Sequence, residues 1–174
     1  MPSREDAPLH RSPGDGWIEC TCGRRHWGLH GAAGLLLTRP APDGSGLQVV
    51  LQHRALWSDH GGTWGVPGGA RGPDEGAVDA ALREASEEAG IDRASVRVLG
   101  SHLLDHGSWS YTTILAEAVG PLDPRPTDAE SLDIAWVAID AVTDLVLLPA
   151  FAAAWPVLRA RIEDCDPAGD PRML

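Results

Sequence analysis

The chain has 174 residues, 43% of them hydrophobic and 22% charged, and a formal net charge of −11 at pH 7. That length suits one domain with a real core, and so acidic a surface repels the phosphate backbone of duplex nucleic acid and calls for a cation if the ligand is an anion. All 14 basic residues are arginine, which excludes a P-loop lysine and a Schiff-base lysine.

In chain order, residues 1–16 read as a flexible tail, with no apolar run of the kind a signal peptide needs. Trp17–Cys20 and His26–Trp27 flank "GRR" and predict a short hairpin. The stretch "CTCGRRH" holds Cys20, Cys22 and His26. Its C-x-C spacing departs from the C-x-x-C of zinc knuckles and fits two side chains of one strand better. Three cysteines in all suit a reducing compartment, and the cytoplasm is the expected location. "GAAGLLLTR" (31–39) and "LQVVLQHR" (47–54) read as strands around a turn. "ALWSDHGGTWGVPGG" reads as a Gly-rich loop, and a helix follows over Gly76–Ala89. Strands are predicted at 95–106, 108–119 and 131–139, with a short helix at 140–145. A last helix runs from Pro149, at a plausible N1 position, to about Glu163, and Pro156 should distort it. Residues 164–174 read as a tail. Strands interleaved with two main helices, and no internal repeat, imply a single α/β domain over 17–163.

The helix poses the chemical question. At 100° per residue, Val78, Ala81, Leu82, Ala85 and Ala89 form a buried stripe, mostly alanine, with Gly90 placed to close the helix in the left-handed conformation. Glu84, Glu87 and Glu88 share a neighbouring arc of about 100°. Glu84 and Glu88 are a like-charge i,i+4 pair that costs about 0.2–0.5 kcal/mol. Glu87 and Glu88 also sit at the helix C-terminus, where the macrodipole disfavours each anion by about 0.3–1 kcal/mol. Broken local rules point to function, and a divalent cation would compensate; all-oxygen ligands suit Mg²⁺ or Mn²⁺. The alternative is a solvated acidic face. Arg83, i−4 to Glu87, is placed to hold a carboxylate in one rotamer, and Glu75 adds a fourth acid.

Gly69, five residues, Glu75, seven residues, then "REASEEAGI" from Arg83 to Ile91 resembles the Nudix hydrolase signature G-x5-E-x7-R-E-U-x-E-E-x-G-U, U being a bulky aliphatic residue. The one departure is Ala85 at the first aliphatic position. "WGVPGG" (64–69) and "SLDIAWVAID" (131–140) extend the similarity, which reaches from Trp27 to Arg159 and looks most like a MutT-like actinobacterial subgroup. The resemblance implies the Nudix fold, a mixed β-sheet sandwiched between α-helices. It implies Mg²⁺-dependent hydrolysis of a nucleoside diphosphate linked to another moiety, Mn²⁺ being an alternative ion. By position, Glu84, Glu87, Glu88 and the Gly69 carbonyl would ligate metal, with Glu75 and Arg83 in support. Glu130, Glu87 or Glu88 would serve as the base that makes water a competent nucleophile. Arg54 is a candidate phosphate or base contact. Trp57, Trp64, Trp109 and Tyr111 are candidate stacking surfaces for a nucleobase, whereas Trp136 and Trp155 read as core. The substrate implied is a small nucleotide, either an oxidised triphosphate such as 8-oxo-dGTP or a diphosphate-linked metabolite such as ADP-ribose. A non-catalytic ligand sensor is the third reading, and its usual mark, loss of signature glutamates, is absent. A monomer or homodimer is expected, without membrane or duplex partners.

Overall fold

A computed structural model describes residues 12–165; the tail segments expected at 1–11 and 166–174 lie outside the described residues. Two layers of helix enclose a seven-stranded mixed sheet. Its main path runs β5 (Trp64–Gly65), β4 (Leu47–Arg54), β3 (Ala32–Pro40), β8 (Ser110–Ala118) and β7 (Val96–Asp105). β6 (Gly68–Ala70) pairs with β3, and β9 (Ser131–Ala138) with β4. A separate hairpin, β1 (Trp17–Glu19) and β2 (Arg25–Trp27), is antiparallel, as the sequence predicts. The long helices are α1 (Ala77–Ala89) and α2 (Pro149–Asp164), with 3₁₀ turns at Arg93–Ser95 and Ile139–Asp144. None of these helices is long and apolar enough to cross a membrane.

β3 and β8 pair in parallel from Ala32↔Tyr111 to Thr38↔Glu117 at the centre of the sheet. Both faces of β3 are covered, so it reads as the continuous apolar run "AAGLLL" and not as an alternation. The period of two still sorts the side chains. Ala33, Leu35, Leu37, Val50 and Ile114 pack under α1 with Ala81, Ala85 and Ala89. Leu36, Val49, Leu51 and Leu115 face α2, where they meet Phe151, Trp155, Leu158 and Ile162. The core role expected of Trp155 is borne out. Trp136 lies at the edge of the α1-side core, with the Arg39 guanidinium 4.1 Å from its ring.

Four expectations need correcting. The Gly-rich loop contains β5 and β6, strands too short to show a period. The helix stripe is wider than predicted: Ala80 and Glu88 are also buried, whereas Val78 is only partly so. Pro156 lies inside α2, which continues through it. The segment 12–16, assigned to the tail, is tied down: Leu29 N–H donates to the Gly14 carbonyl and Gly28 N–H to that of Gly16.

One strand edge is shared in a way that builds the site. β6 pairs with the first residues of β3 (Ala32↔Ala70 to Gly34↔Gly68), β4 with its last (Thr38↔Val49 to Pro40↔Leu47). In the gap between them Leu35 N–H donates to the Pro67 carbonyl. The splay lets the glycine backbone of β6 come up beneath α1.

Candidate metal and active site

α1 ends as its sequence dictates. Gly90 adopts φ 64°, ψ 26° and its N–H reaches the Ser86 carbonyl at 3.1 Å, while Ile91 N–H takes that of Ala85 at 3.2 Å; the 5→1 bond from a left-handed glycine just past the helix is the αL closure. The later carbonyls would remain orphaned. The loop before β9 satisfies them: Arg125 N–H donates to Ala89 O, Thr127 N–H to Glu88 O and Thr127 Oγ1 to Glu87 O. That capping carries Asp128 and Glu130 to the end of α1, beside Glu88.

Arg83 organises the first group of acids. Its Nε and Nη2 form a fork on the two oxygens of Glu75 at 2.8 and 3.0 Å. Nη2 also donates to Ala70 O at 3.0 Å, and Nη1 to Glu84 at 2.8 Å and Glu87 at 3.3 Å. A guanidinium has five N–H donors, and all five are spent. The bonds from Arg83 hold the Glu75 carboxyl below its ordinary range, helped by the Gly72 N–H.

Nothing is left for the second group. The Glu88 side chain is buried at 2% exposure, accepting the Gly68 N–H at 2.9 Å and a hydrogen bond from Gln52. Its carboxyl also hydrogen-bonds that of Glu130. Burial, then the charges of Glu84, Glu130 and Asp128, push Glu88 well above the usual carboxylate range. Burial raises Glu84 to about 7 against the opposing pull of Arg83. Glu130 is raised as well, by burial and then by Asp128. The backbone is shaped to the carboxylates: a Cβ on Gly69 would stand 2.7 Å from the Glu84 carboxyl group. Anions packed this densely, with the Arg83 fork exhausted, fit a divalent cation held by oxygen.

The raised values make a stability prediction. Between the unfolded value of 4.5 and about 7, folded Glu84 binds more protons than the unfolded chain. By linkage, metal-free stability falls as pH rises through that window, by about 3 kcal/mol for Glu84 at about 1.4 kcal/mol per unit. Glu75, shifted the other way, loses its contribution only below about 4.5. Chelator-treated protein should therefore melt at a higher temperature at pH 5.5 than at pH 8, and Mg²⁺ should restore the loss at pH 8. A midpoint that climbs with pH in the absence of metal would refute the electrostatic description.

The other candidates divide. Trp57 is 60% exposed and open for stacking. Arg54 sits at an irregularity between β4 and β9, with its Nε on the Asp59 carbonyl at 3.1 Å. Trp64 is no open face: it stacks on His53 at 4.6 Å and packs against the α2-side core. Tyr111 is sunk beneath the β3–β6 pair, its hydroxyl 2.1 Å from where a Cβ on Gly34 would stand and 2.8 Å from one on Gly68. One face of Trp109 is taken by His26, stacked at 4.2 Å, and its Nε1 donates to Trp27 O. Two residues escape the sequence reading. Gln52 is 1% exposed and braces Ser131 at 2.9 Å; an amide within the apolar run of β4 was its signal. Asp128, 4% exposed, accepts the Glu130 N–H at 2.9 Å, and the spacing D-x-E of that turn was its only trace.

The chain is similar to known proteins. The NUDIX domain family matches residues 28–160. A "Nucleoside triphosphate pyrophosphatase/Nudix hydrolase fusion protein" of Bifidobacterium longum is 49% identical over 155 residues, covering 87% of this chain and 32% of its own. This chain thus spans about a third of that relative. "Putative 8-oxo-dGTP diphosphatase 3" of Mycobacterium tuberculosis is 48% identical over 155 residues, covering 86% of this chain and 70% of its own. The crystal structure of RenU, a Nudix hydrolase from M. smegmatis, superposes with a TM-score of 0.80 at 43% identity, over 88% of this chain and 98% of that one. With the signature from Gly69 to Ile91 entire in every charged position and folded around one nest of carboxylates, the chain belongs to the Nudix hydrolase family.

Proposed function

We propose that the chain is a Mg²⁺-dependent pyrophosphohydrolase that cleaves a nucleoside triphosphate, an oxidised one by preference, to the monophosphate and pyrophosphate. The observation that supports this most is the crowding of acid around buried Glu88: Glu84 and Glu130 press on it with like charge, and Arg83 spends its donors elsewhere, one of them on Glu84. Glu84, Glu87, Glu88 and the Gly69 carbonyl would hold Mg²⁺, or Mn²⁺ in its place, which when bound neutralises the charge of the phosphate chain. Arg83, itself held by Glu75, fixes the rotamers of Glu84 and Glu87, so little reorganises there when substrate arrives. Glu130, hydrogen-bonded to Glu88 and raised in pKa, takes the proton of the attacking water at a carboxylate oxygen. Arg54 is placed to meet a phosphate, and the exposed Trp57 to stack on the base. Glu87 borders an open cleft of about 490 Å³, lined also by Ser12, Asp74 and Arg83, through which solvent and ions reach the ligands.

The name of the mycobacterial relative makes 8-oxo-dGTP the first substrate to try. Purified protein with Mg²⁺ should convert it to the monophosphate and pyrophosphate with a kcat/KM at least about ten-fold above that for dGTP, the discrimination one well-placed polar contact supplies. Equal turnover of the two would end the sanitising role but not the hydrolase. ADP-ribose cleaved in preference to any triphosphate would move the assignment to diphosphate-linked metabolites, and binding without any product would make it a sensor.

A further inference from the structure

The β1–β2 hairpin stands outside the hydrolase signature, and its turn gathers a different chemistry. The turn is tight: Cys20 N–H donates to Arg24 O at 2.8 Å, Gly23 N–H to Cys20 O at 2.9 Å, and Gly23 has φ 83°. Cys20 and Cys22 are therefore not two residues of one strand, as their spacing suggests. They project from a turn, and His26 returns to them on β2. The ligand atoms of Cys20, Cys22 and His26 all lie within 4.8 Å of one another, with Cys22 Sγ 3.2 Å from His26 Nε2. A tetrahedral zinc ion, with Zn–S about 2.3 Å and Zn–N about 2.0–2.1 Å, would separate its donor atoms by about 3.5–3.8 Å. The group needs only small side-chain movements to reach that spacing.

We propose that Cys20, Cys22 and His26 form a binding site for zinc, separate from the carboxylate site, which locks the hairpin turn against the turn between β7 and β8. Two thiolates and a neutral imidazole balance the ion's charge, and both thiol protons leave to solvent on binding. Soft sulfur with imidazole selects zinc over the Mg²⁺ favoured by the glutamates. The surroundings are those of a supported ligand set. His26 is held in place by stacking on Trp109, at 4.2 Å and 8° between planes, and by His106 at 4.7 Å. Burial lowers its pKa, with His106 and Arg24 adding to the effect. The present hydrogen bond of the Cys20 thiol to His106 O, at 3.3 Å, is given up with the proton. Cys20 is buried and Cys22 exposed, so an ion enters from the solvent side. Among the described residues no fourth Cys, His, Asp or Glu joins the group, which leaves water for the remaining position.

The same turn grips the core. Thr21 N–H donates to Ser108 Oγ at 3.0 Å, Ser108 Oγ to Cys20 Sγ at 3.4 Å, and Trp109 Nε1 to Trp27 O at 3.2 Å. Gly107, Ser108 and Trp109, with Leu29 and His30, wall a cleft of about 330 Å³. Fixing the thiolates therefore fixes a wall of that cleft.

The test uses the full-length reduced chain, stripped of metal and titrated with Co²⁺ as a spectroscopic stand-in. One equivalent should produce a thiolate-to-cobalt charge-transfer band, which Zn²⁺ abolishes by displacement. Cys22→Ser and His26→Ala should weaken or remove the band with melting temperatures of the stripped proteins unchanged. Cys165→Ser, at the far end of α2, should keep it, and so should Glu88→Gln, which separates this site from the carboxylates. Zn²⁺ should also slow alkylation of Cys22 about ten-fold or more while leaving Cys165 reactive, because the free thiolate is the nucleophile. No charge-transfer band from the reduced protein would overturn the proposal. So would a band unaltered in Cys22→Ser, or a Cys20–Cys22 disulfide that persists under reduction and leaves no thiolate to bind.

Discussion

Glu88→Gln should lower turnover by about 10³-fold or more and at the same time raise the melting temperature of the metal-free protein by a few degrees. The two effects have one cause. Glu88 is nearly inaccessible, and its surroundings supply the Gly68 N–H and the Gln52 amide but no cation. As an anion it is a burden on the fold that only a bound metal relieves. The amide keeps an oxygen for the Gly68 N–H and removes the charge. A gain of about 1–2 kcal/mol corresponds to about 2–8 °C in a domain of this size. Activity falls because a neutral oxygen binds a divalent ion weakly, and losses of a few kcal/mol in transition-state stabilisation are factors of 10² to 10³. Isothermal titration with Mg²⁺, a thermal melt and a steady-state assay on one preparation decide it. A variant that is both inactive and less stable than the parent would show Glu88 to be structural.

Arg83→Lys should be worse for the fold. Lysine offers three donors from a point charge where arginine offers five in a plane. It cannot hold Glu75 at two oxygens and still reach Glu84, Glu87 and Ala70 O. At least one carboxylate is left buried without a partner, and breaking such a pair costs about 3–5 kcal/mol when fully buried. The Arg83 side chain is 28% exposed, so about 2–3 kcal/mol is the better figure, or roughly 4–12 °C in melting temperature. Turnover should fall at least about 10²-fold, since the metal ligands lose their fixed rotamers. Unchanged stability would mean that the five bonds do not form in solution, and the reading of Arg83 as fully spent, with no donor left for Glu88, would go with them.

How legible was this in the sequence? The signature glutamates were, because a like-charge pair at a helix C-terminus breaks two local rules at once. The bounds of α1 were also clear, because Gly90 can do what few residues can at φ 64°. β3 and β4 showed as apolar runs of the right length. What stayed hidden depends on chain segments far apart in sequence. β5 and β6 are two and three residues long, and only pairing with β4 and β3 makes them strands. The partial burial of Trp64 and Tyr111 follows from those pairings, so neither could be told from an exposed aromatic. Asp128 and Glu130 reach Glu88 because their loop caps α1, a contact across some forty residues. Cys20, Cys22 and His26 meet only because a tight turn faces them one way, which the C-x-C spacing did not reveal.

The alanine face of α1 has a further consequence. Ala80, Ala81, Ala85 and Ala89 are each fully covered, with 0% exposure, and each brings only a methyl group to the packing against Leu35, Leu37, Val50 and Ile114 of the sheet. The helix therefore sits close on the strands, and its own side of the contact is mostly methyl groups with little slack to absorb an error in spacing. The acids at its end inherit their placement from that contact, so one added methylene on the inner side would lift all of them together. Evolution can thus adjust the grip on the ion from beneath, by changing residues that never touch it.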